Sequence, residues 1–120
     1  MSERLTKALE FANYRLTLNN QITALRSKVQ TKLIYSINGG TFTISRDLIT
    51  FVESLIRKDY NSDVVLIDNF QNPIMIEDLE DFLENISSKY FEVTNDFHAE
   101  YIKLRQARKV QKLLDIEHED

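Results

Sequence analysis

The sequence predicts a mainly α chain with a small β element. In this α+β fold, two long antiparallel helices are joined by a strand–helix–β-hairpin connector. Three observations predict it. Only two glycines and one proline stand among 120 residues, too few breakers to cut the chain into short elements. Apolar residues recur at helical spacing along both flanks. Between the flanks lies "VVLIDNFQNPIMI", residues 64 to 76, two apolar runs around a polar turn.

Each element has its own signal. Ser2 is placed to cap the first helix. From there Leu5, Ala8, Phe11, Leu18, Ile22, Leu25 and Val29 keep a three-four spacing that Arg15 interrupts, while Leu9, Ala12 and Leu16 widen the stripe. The spacing predicts a helix over about 3–36, roughly 50 Å long, which needs a long partner. "NGG", Asn38 to Gly40, either stops that helix through a left-handed cap or turns a hairpin between "LIYSI" and "TFTI". The helix stop is the preferred reading, with Thr41–Ile44 as a short strand. Ser45 caps a second helix whose buried face is Leu48, Ile49, Val52, Leu55 and Ile56. Val64–Ile67 and Ile74–Ile76 then read as a β-hairpin, with Pro73 at a strand start because it cannot donate to a ladder. The last helix covers about 78–115, carrying Leu79, Phe82, Leu83, Ile86, Tyr90, Val93, Phe97, Tyr101, Leu104 and Leu114; an acidic tail, 116–120, follows. Acids crowd its start and bases its end, as the helix dipole favours.

The whole is read as one domain, 1–120, with the connector at 38–77. Hydrophobic residues make up 42% and charged residues 28%, the composition of a globular chain rather than a disordered one. Without cysteine there is no disulfide framework and no thiolate metal site. The charged start "MSERLTKALEF" does not resemble a signal peptide, and no apolar run reaches the length of a membrane span. Charge is uneven along the chain: residues 1–37 carry +4, residues 38–76 carry −2 and residues 77–120 carry −6. A basic beginning and an acidic end fit two segments lying against each other. Closing the helices as an antiparallel pair then sets Lys28 and Lys32 near Asp81 and Glu84, Asn19 near Asn95, and Arg15 beside Asp96 or Glu100. These polar contacts are read as devices that fix register.

Chemical motifs are few. Asp59, Asn61 and Asp63 have the first spacings of a calcium loop, but the required glycine and glutamate positions hold Val64 and Phe70. The stretch reads as a polar loop that ends a helix. His98 and His118 lack metal-ligand spacing. No phosphate loop, nucleophile elbow or HExxH is present, so no catalytic, cofactor or metal residues are assigned. The one basic cluster is Lys103, Arg105, Arg108, Lys109 and Lys112, expected near Arg4 and Lys7. It reads first as dipole compensation at a helix end; the chain's overall acidity argues against a dedicated nucleic-acid binder. Phe70 differs from the other aromatic residues because it falls at a turn tip, where an exposed ring offers a docking point.

The layout resembles that of prefoldin subunits, in which β-hairpins join two long helices; the extra helix at 45–58 departs from it. Over nearly the whole chain, "MSERLTKALEFANYRLTLNNQ", "INGGTFTISRDLITFVESLI" and "VVLIDNFQNPIMIEDLEDFLENI" resemble small proteins of marine contractile-tailed phages, including cyanophages. The resemblance implies expression in the cytoplasm of an infected bacterium, or a place in the phage particle, and a structural role such as a prohead-core or scaffold component.

The function expected is therefore non-enzymatic: helical self-association or docking, in particle assembly. The alternatives are a regulator that binds a host or phage macromolecular complex, and a small enzyme whose site the sequence does not display. Both long helices carry apolar residues on more than one side, more than one antiparallel partner can cover. A homo-oligomer is expected, with a two-fold dimer forming a four-helix layer favoured.

Overall fold

A computed structural model describes residues 2–107 and 110–117. The chain is mostly helical, with two small antiparallel sheets. The order is α1 (Glu3–Lys32), β1 (Ile34–Ile37), β2 (Gly40–Thr43), α2 (Arg46–Arg57), β3 (Ser62–Ile67), β4 (Pro73–Asp78), α3 (Leu79–Gln106) and α4 (Val110–Glu117). It divides into two compact units. One comprises residues 1–28 with 95–120, and the other is the contiguous stretch 29–94.

The contiguous unit is built on two hairpins and α2. α1 stops at Lys32 rather than near residue 36, and "NGG" turns a hairpin instead of ending a helix. Ile37 pairs with Gly40, leaving Asn38 and Gly39 as a two-residue turn, both at positive φ (50° and 80°). That is the type I′ geometry whose twist matches the flanking strands. The β-branched and aromatic residues of "IYSI" and "TFT" accept strand backbone readily, and the turn decides between helix and strand. Thr41–Ile44 therefore does not form a lone strand: Gly40–Thr43 is the second arm of this hairpin. The turn also reaches outward, since the Asn38 side-chain amide donates to the Met75 carbonyl at 2.8 Å.

α2 begins at Ser45, whose hydroxyl accepts from the Leu48 N–H at 3.1 Å. It ends through Asp59 at φ 68°, with the Asp59 N–H bonded to the Ile56 carbonyl and the Tyr60 N–H to the Leu55 carbonyl. This is a Schellman closure with aspartate in the left-handed position that glycine usually takes. Asp59 is thus a helix terminator. The second hairpin pairs Ser62 with Asp78 through to Ile67 with Pro73. Its inward residues Leu66, Ile74 and Ile76 are buried with Phe42, Ile44, Val52, Leu79, Phe82 and Ile86. The Phe82 ring stands edge-on to Phe42 (5.5 Å) and Tyr35 (5.8 Å), a favoured aromatic geometry.

The other unit is a three-helix cluster. Ser2 caps α1, its hydroxyl accepting from the Leu5 N–H. α3 runs antiparallel to α1 here, from the Lys28–Glu100 ion pair to the bond that the Tyr14 hydroxyl donates to the Ala107 carbonyl at 2.6 Å. One straight helix to residue 115 is not what forms: α3 ends at Gln106. α4 then returns along α1, and the Gln21 side-chain amide donates to the Leu113 carbonyl. Leu113 is fully buried with Leu18, Ile22, Leu25, Leu104 and Ala107. Residues 104–110 contain no helix breaker. Burial of Leu113 against Leu18, Ile22 and Leu25 of α1 favours the return, worth about 1.5–3 kcal/mol. Of the expected acidic tail, Ile116 and Glu117 close α4 and residues 118–120 lie outside the described residues.

Two outcomes check this packing. A Cβ at Gly40 would lie 2.5 Å from Cγ1 and 2.8 Å from Cδ1 of Ile74. Gly40→Ala is therefore expected to destabilise by about 1–3 kcal/mol in denaturant titration. The double variant with Ile74→Ala should show clear non-additivity, because the clashing atoms are gone. Leu113→Ala should cost about 2–5 kcal/mol, with faster amide exchange in α4; unchanged exchange there would contradict the folded-back α4.

Candidate functional site

The most constrained site is the turn of the second hairpin. Asp68 is 4% exposed, yet its carboxylate is fully engaged. Oδ1 accepts from the N–H groups of Phe70 and Asn72, both at 2.9 Å, and Oδ2 accepts from the N–H of Thr41 in β2 at 3.0 Å. Asn69 continues the contact: its N–H donates to the Thr41 carbonyl, its side-chain oxygen accepts from the Thr43 N–H, and its side-chain amide donates to the Thr43 hydroxyl. The turn thus satisfies one edge of β2 as a third strand would. The Asp68 carboxyl is held below its ordinary pKa by the N–H groups of Thr41, Asn72 and Phe70, with burial opposing them. Gln71 follows at φ 64°, the left-handed residue of a three-residue hairpin loop. At the tip of this rigid turn Phe70 is 71% exposed, as its position in the sequence anticipates.

Below the tip, the outward face of the hairpin is apolar. Val65 pairs with Met75 and Ile67 with Pro73, and all four are exposed. The alternation with buried Leu66, Ile74 and Ile76 was present in the sequence, but two adjacent apolar runs do not reveal which half faces solvent. At the base of the hairpin Asp63 on β3 and Glu77 on β4 are both exposed, lying between the pairs Ser62–Asp78 and Val64–Ile76. Asp63 adopts φ 54°, which interrupts the strand alternation at this point.

A second apolar surface lies on α1. Leu5, Leu9 and Leu16 are exposed (49%, 50% and 61%), and with Ala12 they follow the four-three-four spacing of a coiled-coil seam. They lie on the side of α1 opposite the buried Leu18, Ile22 and Leu25. A groove of about 810 Å³ runs along a further side, lined by Lys7, Glu10, Phe11, Asn13, Tyr14, Thr17 and Val110.

The expected helix-pair contacts are not brought together. Glu100 pairs with Lys28 at 3.5 Å, not with Arg15. Arg15 is exposed and its guanidinium lies over the Phe11 ring, 6.0 Å from the centroid. Asp96 is exposed and has no ion pair among the described residues. Asn19 and Asn95 are both exposed, with no hydrogen bond between them. The register differs because the first turns of α3, through Thr94, belong to the contiguous unit, where Leu79, Phe82 and Ile86 are buried. α3 enters the three-helix cluster only from Asn95. In the basic cluster, Lys103, Arg105 and Lys112 are exposed; Arg108 and Lys109 lie outside the described residues. Lys7 pairs with Glu3 on its own helix at 3.6 Å.

No group of three or more metal-ligating side chains gathers among the described residues, and no helix there is long and apolar enough to cross a membrane. No family model, curated protein or solved structure matches the chain.

The Asp68 geometry carries a pH signature. A carboxylate whose folded pKa is depressed contributes stability that is present above its unfolded pKa, about 3.9, and lost as pH falls through the folded value. Asp68→Ala is expected to destabilise the chain at pH 7 and to flatten its stability profile below about pH 4. Thermal melts across pH 2–7 are the measurement, and an unchanged profile would refute the bonding described.

Proposed function

We propose that this chain is a non-enzymatic phage protein that works by self-association in particle assembly, as a prohead-core or scaffold-type component. The observation that carries the self-association is the exposed Leu5, Leu9, Ala12 and Leu16 seam on α1. Large apolar side chains repeated on one face of a helix mark an interaction surface. The surplus on α3 is smaller than its sequence implies, because Phe97 and Tyr101 pack against the three-helix core. The phage setting, and the infected bacterial cytoplasm it entails, rest on the sequence resemblance.

A second reading has its own observation. Phe70 is an exposed aromatic ring on a turn fixed by three bonds to Asp68. A rigid aromatic anchor suits docking to a host or phage complex. Capture of one defined complex by the chain, lost with Phe70→Ala, supports this regulatory reading.

Light scattering at micromolar concentration tests the first reading directly. A mass above the 14.1 kDa of one chain is expected, falling toward that value on dilution. A monomer throughout would refute self-association, and absence of the chain from purified proheads and particles would refute the assembly role.

A further inference from the structure

We propose that the exposed α1 seam of one copy docks on the outward β3–β4 face of a second copy. This rests on the self-association proposed above and names its two surfaces. Three observations select this occupant. The first is size. Leu5 to Leu16 spans about 17 Å at 1.5 Å per residue, and a six-residue strand spans about 20 Å. The helix stripe therefore covers the apolar face formed by Val65, Ile67, Pro73 and Met75, about 7 Å along the strands, and reaches past it to the base of the hairpin.

The second is charge. At 3.6 residues per turn, Arg4 and Arg15 flank one side of the seam, and uncharged Thr6 and Asn13 flank the other. Glu3 and Glu10 lie more than about 120° away from its centre. The seam is therefore edged by bases alone. The β face ends at the base of the hairpin in two exposed carboxylates, Asp63 on β3 and Glu77 on β4. A helix laid along the strands with Leu16 toward the base of the hairpin brings Arg15 to these two acids. Arg15 is free of any ion pair among the described residues, so it has no competing acid.

The third is the poor fit of the alternative. Two α1 seams packed on each other would bring only arginines to their shared rim, with no acid to receive them. The contact proposed is heterologous. It closes as a reciprocal pair or a ring, or runs on as a filament, according to how the two faces are disposed on one copy.

Leu9→Asp removes the seam, and Ile67→Lys removes the β face. Both side chains are exposed, so both variants should keep the wild-type circular dichroism spectrum; Leu16→Asp and Met75→Lys serve if either does not. Each variant alone is expected to self-associate at least about 30-fold more weakly, the effect of losing an interface hot spot. Each should run as a 14.1 kDa monomer in sedimentation velocity. Mixed one to one they should form a dimer and nothing larger, because one copy offers only a seam and the other only a β face. If Ile67→Lys copies assemble as the wild type does, or if the mixture stays monomeric, this pairing is wrong while self-association stands. A monomeric wild type refutes both.

Discussion

The Asp68 carboxylate is the constraint on which the contiguous unit depends. Two-stranded hairpins are marginal by themselves, and this unit contains two of them. One carboxylate, accepting from two N–H groups of its own turn and one of β2, fixes the second turn and ties it to the first hairpin. Asn38 provides a smaller tie in the other direction, from the first turn to β4. With both hairpins fixed, their inward residues can be presented together to Phe82, Ile86 and Val52. The exposed β3–β4 face and the Phe70 tip are then surfaces on a rigid body.

Much of this was legible where the cause is local. Both serine caps, the hairpin around 62–78, its proline at a strand start, and the helix stop at Asp59 follow from side chains acting within a few residues. The first hairpin was legible too, since Asn-Gly between apolar runs is a strong hairpin signal. The helical spacing before it competes over the same residues, and the reading that continued the helix lost to the I′ turn.

What sequence could not reveal is set by tertiary packing. The α1–α3 register depends on how many turns of α3 the hairpins take for their own core, and no spacing rule counts that. Once those turns are taken, Glu100 meets Lys28, and Arg15 is left over a ring of its own helix. The return of α4 is of the same kind. The straight-helix reading carried Leu114, which is exposed; the buried residue is Leu113, two and a half turns beyond Leu104 and so on the opposite side of any straight helix, and only the folded-back α4 brings both into one core. Asp68 looked like ordinary turn chemistry because two of its bonds are; the third, to Thr41, crosses between hairpins.

The division of the chain has a consequence for folding order. The 29–94 unit is contiguous, whereas the three-helix cluster is assembled from residues 1–28 and 95–120. The cluster is therefore closed through its neighbour. While residues 29–94 are unfolded they form a long flexible loop, and bringing its ends together costs roughly 4 kcal/mol on the logarithmic law of loop closure. Once that stretch has folded, the loop entropy is already lost. Loop closure therefore favours an order in which the hairpin-bearing unit forms before the three-helix cluster.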